Sequence, residues 1–134
     1  MTLRIGLDTN ALLRWLFRED REPDQYALAG SVVFDAESEI WINGFVVAEL
    51  IWLASQKLRM DRPEQGAMIR RLLEHPKVVI ADKVTVEQTL AAFELGGAGF
   101  VDHMIGALIT AAGCKTTLTF DKSVAKGPHF TQLV

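Results

Sequence analysis

Short apolar runs alternate with helix-like patterns along this chain, and that alternation constrains the fold more strongly than any other feature. The apolar runs predict strands at 3–7, 39–43, 77–81 and 116–120, with a short edge strand at 130–134. Between them, apolar residues recur at helical spacing over about 9–17, 24–36, 45–58, 63–73, 85–95 and 102–112. Because strands separated by helices usually join a parallel sheet, the sequence predicts an α/β fold.

Two helix starts carry a specific local signal. Asp61 is followed three residues later by Glu64, and Thr85 is followed three residues later by Gln88. A cap residue with Glu or Gln three positions on can form a capping box, so both segments are predicted to begin helices. The run Gly96-Gly97-Ala98-Gly99 follows a helical pattern rather than a strand, which does not match a nucleotide-binding glycine loop.

Composition indicates a folded enzyme-sized domain rather than a basic nucleic-acid-binding module. With 134 residues, 49% hydrophobic and 23% charged, the chain is predicted to form one domain over 1–134. Its net charge of -3 argues against holding nucleic acid through a general basic field, but not against metal ions holding phosphates. The single cysteine, Cys114, cannot form an internal disulfide and is predicted to be a small buried hydrophobe. Without a signal peptide or a membrane-spanning apolar stretch, a cytoplasmic location is expected.

Four carboxylates interrupt apolar sequence. Asp8 ends the first apolar run, Glu49 lies within 45–52, Asp102 lies within 100–105, and Asp121 closes the last long strand. A charge embedded in apolar sequence requires a cationic partner or must be protonated, and few basic residues lie beside these four. In parallel α/β sheets, functional groups gather at the carboxyl ends of the strands. A shared metal ion at that edge is therefore the predicted partner.

Each carboxylate also has an ordinary structural explanation. Asp8 and Asp121 each precede a helical segment and can serve as helix caps. Asp102 suits the first turn of a helix, where a negative charge interacts favourably with the helix dipole. Glu49 is the hardest to explain in this way, because its neighbours three and four positions away on the helix are all apolar. We therefore interpret Glu49 as a carboxylate buried for a functional purpose.

The donor set favours a hard divalent cation. Carboxylate oxygens are the ligands that Mg²⁺ and Mn²⁺ prefer. Zinc is disfavoured because His75, His103 and His129 show no paired spacing and there is one thiol. His103 is predicted to lie on the surface of its helix. Serine-based catalysis is also unsupported, since no Gly-x-Ser-x-Gly motif occurs.

Four motifs follow one another in a recognisable order: Leu7-Asp8-Thr9-Asn10-Ala11-Leu12-Leu13-Arg14, Val47-Ala48-Glu49-Leu50, Phe100-Val101-Asp102-His103-Met104-Ile105 and Leu118-Thr119-Phe120-Asp121-Lys122. In this order they resemble the PIN-domain ribonucleases, and more narrowly the VapC-type toxins of bacterial type II toxin–antitoxin pairs. The resemblance runs from Asp8 to Phe130. Each motif alone is weak, whereas four in order at suitable separations are fairly specific.

The resemblance implies a fold, an activity and partners. The fold is a PIN-like three-layer α/β sandwich around a central, mostly parallel sheet of four to five strands. The activity is endonucleolytic hydrolysis of RNA, in which water bound to Mg²⁺ or Mn²⁺ attacks phosphorus. The partners are RNA, a cognate antitoxin protein and a second copy of the chain in a homodimer. Four residues are both the catalytic residues and the metal ligands: Asp8, Glu49, Asp102 and Asp121.

Other residues have expected roles around that centre. We expect the first three carboxylates to hold one ion, and Asp121 to complete the site or help a second. Thr9 and Thr119 are candidate hydroxyls for orienting the carboxylates, and Arg14 and Lys122 are candidate phosphate contacts. The three tryptophans are predicted to be core residues, while the helices at 45–58 and 63–73 carry apolar surface suited to a dimer or an antitoxin segment.

Two other functions are consistent with parts of the sequence. A haloacid-dehalogenase-like phosphatase would expect a second aspartate two residues after Asp8, where Asn10 stands. A non-catalytic module, either a degenerate PIN-like binding domain or a receiver-like domain, would explain an aspartate at a strand end. A receiver-like domain would not explain why Glu49 and Asp102 lie in apolar helices. A degenerate PIN-like module should lack one of the four carboxylates, and all four are present.

Overall fold

The computed structural model describes residues 3–17 and 38–134. The helix expected at 24–36 lies outside the described residues. Over the described chain, strands and helices alternate as the sequence predicts. Their order is β1 (Leu3–Gly6), α1 (Thr9–Phe17), β2 (Ser38–Ile42), α2 (Gly44–Gln56), α3 (Arg62–Glu74), β3 (Val78–Ile80), α4 (Lys83–Glu94), α5 (Phe100–Ala111), β4 (Thr117–Thr119), α6 (Lys122–Ala125) and β5 (Phe130–Gln132).

The strands form two parallel sheets. In the larger one β2 is central, and its Ile40 lies opposite Ile5 of β1 and Val78 of β3. The smaller sheet pairs β4 with β5, with Thr117 opposite Phe130. The predicted α/β fold with a parallel sheet is therefore confirmed. The number of strands differs from the prediction of one central sheet with four to five strands. The structure has a three-stranded and a two-stranded sheet, because among the described residues no strand pairing joins β1 to β4.

The core lies between the larger sheet and the helices packed against it. One fully buried aliphatic side chain comes from each of five elements: Leu12 of α1, Ile40 of β2, Leu50 of α2, Ile69 of α3 and Leu90 of α4. Burying a side chain of this size stabilises the fold by about 1.5–3 kcal/mol. These contacts hold the helix starts against the carboxyl edge of the sheet, where the candidate site lies.

One predicted helix start is confirmed and the other is wrong. Asp61 accepts from the Glu64 backbone N–H at 2.9 Å, and the Glu64 side chain accepts from the Asp61 N–H at 3.1 Å, which completes the capping box. The α4 helix instead begins at Lys83, with Asp82 at the cap position. Thr85 is thus already inside the helix, and its carbonyl accepts a bond from the Thr89 hydroxyl. Among the described residues, no helix is long and apolar enough to cross a membrane.

Candidate active site

Polar residues follow each strand of the larger sheet. Asp8 lies two residues beyond β1, Asn43 directly follows β2, and Asp82 lies two residues beyond β3. Because the three strands are parallel, all three side chains lie at the same edge of the sheet. This edge is where the helices α1, α2 and α4 begin.

Asp8 is both a candidate ligand and a helix cap. Its Oδ1 accepts a hydrogen bond from the Ala11 backbone N–H at 2.9 Å, which satisfies one of the unpaired donors of the first turn of α1. Among the described residues, no hydrogen bond reaches Oδ2. The Asp8 side chain is exposed rather than embedded, so one oxygen caps the helix while the other faces outward.

Glu49 is joined to the Asp8 segment by a hydrogen bond across the structure. The hydroxyl of Thr9 donates to Glu49 Oε1 at 2.8 Å, and the Thr9 residue is 7% exposed. This bond links α1 to α2. Because Thr9 directly follows Asp8, it also holds the Glu49 carboxylate close to the Asp8 segment. The expectation that Glu49 is buried is wrong, because it is exposed. Its apolar neighbours Phe45 and Trp52 are themselves exposed, at 76% and 59%, so the helix face they share is not a core face.

Asp102 lies in the first turn of α5 and is half-buried. It lines a cleft of about 310 Å³ together with Arg62 and Gln65. Glu49 lies in an adjacent apolar groove of about 400 Å³. The cleft and the groove share a wall formed by Ala48, Trp52 and Val101, so Glu49 and Asp102 occupy neighbouring depressions on the same surface.

Asp121 caps the short helix α6. Its Oδ1 accepts from the Ser123 hydroxyl at 2.7 Å, from the Ser123 N–H at 2.8 Å and from the Val124 N–H at 3.3 Å. The Ser123 hydroxyl and these backbone N–H groups lower the pKa of the Asp121 carboxyl. Thr119 Oγ1 accepts from the Asp121 N–H at 3.1 Å, which ties the end of β4 to the cap. Asp121 is therefore an exposed, ionised carboxylate held in a fixed position.

The structure brings the predicted site residues together only in part. Asp8, Thr9 and Glu49 form one group, and Asp102 lies in the adjacent cleft, whereas Asp121 belongs to the smaller sheet. Over residues 3–17 and 38–134, no group of three or more His, Cys, Asp or Glu side chains is spaced to hold one ion. Of the candidate phosphate contacts, Arg14 is half-buried in α1 and Lys122 is exposed at the start of α6.

Asp82 is a further acidic residue at this edge, and it was not predicted as part of the site. Its Oδ1 accepts from the Gly44 backbone N–H at 3.0 Å, at the start of α2. A Cβ at position 44 would lie 2.9 Å from Asp82 Oδ2 and 3.2 Å from Met104 Cε, so a larger residue there would push these side chains aside. The signal was available in the sequence, because Asp82 follows an apolar run just as Asp8 does.

Two predictions about single residues are corrected. His103 is 2% exposed instead of lying on the helix surface, and neither ring nitrogen makes a hydrogen bond of good geometry among the described residues. Burial lowers the His103 pKa, and the positive charge of Arg62 acts in the same direction, against the Gly96 carbonyl and the Asp102 carboxylate. Cys114, expected to be buried, is exposed just after α5.

The apolar surface lies on α2 and α5 rather than on α2 and α3. Its exposed members are Phe45 and Trp52 of α2 with Val101, Ile105 and Leu108 of α5. No large hydrophobic side chain of α3 is exposed, because Met68, Ile69 and Leu72 point into the core. Trp52 therefore also departs from its predicted core position.

An α/β chain with carboxylates at the carboxyl edge of a parallel sheet is suited to phosphodiester chemistry in general. The comparison with known families is specific: a family model described as PIN domain matches residues 5–128. The match covers nearly the whole chain, and the protein belongs to the PIN domain family. No curated protein matches the chain closely enough to count as a relative.

PIN domains are generally metal-dependent nucleases, and they usually use divalent metals. The chemistry of the donors in this chain fits such an ion, because all of the predicted ligands offer carboxylate oxygens. Asp8 and Asp121 each use Oδ1 as a cap, and within the described chain no hydrogen bond occupies Oδ2 of either residue.

Proposed function

We propose that the protein is a Mg²⁺- or Mn²⁺-dependent endoribonuclease, and that it is the VapC-type toxin of a type II toxin–antitoxin pair. Asp8, Glu49 and Asp102 would hold the ion, with Asp121 completing the site or helping to hold a second. A bound ion supplies a water of lowered pKa and offsets negative charge on the phosphate. RNA is the substrate, and the cytoplasm, where RNA is abundant, is the expected place of action.

The observation that carries the proposal is the hydrogen bond from Thr9 to Glu49 at 2.8 Å. It connects residues forty positions apart and holds a glutamate carboxylate beside the segment that ends β1. A carboxylate fixed by a hydroxyl loses less conformational entropy when it binds a ligand than a free one does. Glu49 therefore has a partner that orients it, although its helix neighbours are apolar.

Hydrogen bonds within the chain also position Asp8 and Asp121. The Asp8 cap uses Oδ1, and no hydrogen bond from the described residues occupies Oδ2. The hydrogen bonds that lower the pKa of Asp121 favour its ionised form, which is the form a metal ligand must have. The exposed apolar face of α2 and α5 supports the proposed protein partners, a cognate antitoxin and a second copy of the chain in a homodimer.

A second function is favoured by one observation. Since no three carboxylates among the described residues share an ion, a non-catalytic PIN-like binding module remains the alternative. Membership of the PIN family counts against the haloacid-dehalogenase-like phosphatase. The test below separates the two functions that remain.

Asp8→Asn and Asp102→Asn each retain side-chain size and remove one charge. We expect either change to lower Mg²⁺-dependent cleavage of single-stranded RNA on the order of a hundredfold or more, because a ligand is lost. Asp61→Asn is the matched control, because Asp61 caps α3 and Asn caps about as well. Cleavage is followed on a labelled RNA with and without EDTA, and melting curves check the fold. Full activity in both active-site variants would contradict the metal site, and no activity in the unaltered protein would favour the binding module.

A further inference from the structure

The cleft beside Asp102 is formed by side chains that suit a nucleobase. Its walls come from α2, α3, α4 and α5, and its volume of about 310 Å³ is at the small end of ligand pockets. It contains an aromatic wall, a guanidinium and a buried amide, contributed by Trp52, Arg62 and Gln65. We propose that it binds one unstacked RNA base next to the cleaved phosphate, which rests on the nuclease function proposed above.

The aromatic wall is exposed in a way that ordinary packing does not explain. Trp52 is 59% exposed on α2, although tryptophan is highly buried in most proteins. An exposed indole offers a flat face on which any base can stack, and aromatic side chains commonly bind unstacked RNA bases in this way. Trp52 lies one turn of helix beyond Glu49, so the stacking face is close to the proposed chemistry.

The buried amide supplies a fixed acceptor. Gln65 is 8% exposed, and its Nε2 donates to the Met60 carbonyl at 2.7 Å. This bond orients the amide and leaves Oε1, to which no hydrogen bond is made among the described residues, as the acceptor that faces the cleft. Gln65 lines the cleft, so an N–H of a bound base can donate to this oxygen.

The guanidinium supplies donors that are fixed in place. Arg62 donates through Nη1 to the carbonyls of Phe93 and Ala98, at 2.8 and 3.1 Å, and through Nη2 to that of Gly97 at 3.2 Å. Its Cζ lies over the Phe93 ring, 4.3 Å from the ring centre. Of the five N–H donors of an arginine, these bonds leave Nε–H and one Nη2–H for a ligand. The cleft thus pairs a donor and an acceptor with a stacking face, which is the combination that reads base edges.

The test measures RNA binding separately from RNA cleavage. A labelled single-stranded RNA ten-mer of mixed sequence is titrated with Ca²⁺ in place of Mg²⁺, and affinity is read from fluorescence anisotropy. Trp52→Leu is expected to weaken binding roughly tenfold, and Gln65→Met to weaken it severalfold. Trp41→Phe is the matched control, because Trp41 is on β2 and outside the cleft, and should bind as the unaltered protein does.

Phe45→Leu separates the cleft from the neighbouring groove, because Phe45 lines only the groove and Gln65 only the cleft. Weaker binding in Phe45→Leu together with unchanged binding in Gln65→Met would overturn the proposal. Melting curves identify variants that fold poorly. For these, irradiation of the unaltered protein with the same RNA carrying 5-iodouridine decides. Because Trp52 lines both depressions, an adduct on Trp52 with none on Phe45 supports the cleft, and an adduct on Phe45, adducts found only elsewhere, or none, overturn it.

The outcome for the cleft is distinguishable from that for the nuclease. If RNA is cleaved but the cleft variants bind it unchanged, the base site is wrong and the nuclease function stands. If RNA binds through the cleft but is never cleaved, the base site stands and the nuclease function is wrong. If the unaltered protein does not bind the RNA, both are wrong.

Discussion

At the scale of single residues, two of the four proposed metal ligands are also helix caps. Asp8 and Asp121 cap helices through Oδ1, and the capping explanation and the metal explanation are therefore compatible. A carboxylate has two oxygens with about four lone-pair directions, so one oxygen can hold a helix start while the other binds an ion. The cap also restricts the side chain before any ion arrives, which lowers the cost of binding.

Thr9 is the residue whose role is most directly testable. In Thr9→Val the hydroxyl that holds Glu49 is lost while the shape is kept, so we expect activity to fall by about 10–100-fold, as for other residues that orient metal ligands. The half-saturating Mg²⁺ concentration should rise, which a purely structural role would not cause. Thr9→Ser keeps the hydroxyl and should restore most of the activity. An unchanged Mg²⁺ requirement in Thr9→Val would show that this hydrogen bond does not serve the site.

We expect His103 to make the metal-free protein sensitive to mild acid. Burial lowers its pKa in the folded state, with Arg62 acting in the same direction and Asp102 in the opposite one, while His129 also lowers it. A lowered folded pKa means that the unfolded chain binds the proton first. The folded state is therefore fully favoured above the unfolded pKa near 6.5 and loses stability as the pH falls through that value towards the folded pKa.

The measurement is urea unfolding in EDTA between about pH 5 and 8, where histidine titrates. In His103→Gln, the free energy of unfolding should fall less than in the unaltered protein as the pH is lowered. His75→Gln, at a half-buried histidine, is the control and should retain that loss. Identical acid sensitivity in His103→Gln and the unaltered protein would contradict the assignment.

At the scale of elements, Arg62 of α3 fixes the turn that leads into α5. It binds the carbonyls of Phe93, Gly97 and Ala98, and this turn contains Gly96 and Gly97 at φ values of 98° and 80°. Positive φ favours glycine, and a turn of this kind is soft unless its carbonyls are held. Asp102 follows in the first turn of α5, so Arg62 determines where that carboxylate lies.

Arg62→Met should lower the free energy of unfolding by about 2–4 kcal/mol, because the partly buried contacts to the Phe93 and Ala98 carbonyls and the exposed one to Gly97 are all lost. Arg70→Met is the matched control on the same helix. It removes an exposed ion pair with Glu94 and should cost about 0–1 kcal/mol. Denaturant unfolding of both variants measures the difference. Equal losses would mean that the Arg62 hydrogen bonds do not hold the turn.

Local patterns predicted the elements well where the signal lies within a few residues. The Asp61 capping box was correct because both partners of the box are local. The prediction of a capping box at Thr85 was wrong because the helix begins two residues earlier, at Lys83, with Asp82 at the cap position. Trp52 and Glu49 were misplaced for a different reason. Helical spacing shows which residues share a face, but it does not show whether another element covers that face, and the face of α2 and α5 is uncovered.

At the scale of the whole molecule, the sequence predicted parallel strands but not their division into two sheets. Alternation identifies a strand, whereas its neighbours in a sheet depend on contacts between distant segments. The smaller sheet packs against α5 through Gly106, where a Cβ would lie 2.6 Å from Phe130 Cε2. Asp121 lies two residues beyond β4 of that smaller sheet, and Asp8 lies two residues beyond β1 of the larger one. An ion held by both would therefore link the two sheets.

That linkage predicts a specific effect of Mg²⁺ on stability. An ion bound only by the folded chain should raise the free energy of unfolding by about 2.7 kcal/mol at a hundred times its Kd. In EDTA, Asp8→Asn should be about as stable as the unaltered protein, since Asn caps a helix as well as Asp. In Mg²⁺, Asp8→Asn and Asp121→Asn should both lose most of the increment, while Asp61→Asn should keep it. Thermal melting across a Mg²⁺ titration measures all four proteins. An increment that survives in Asp121→Asn would show that the ion is held by the larger sheet alone.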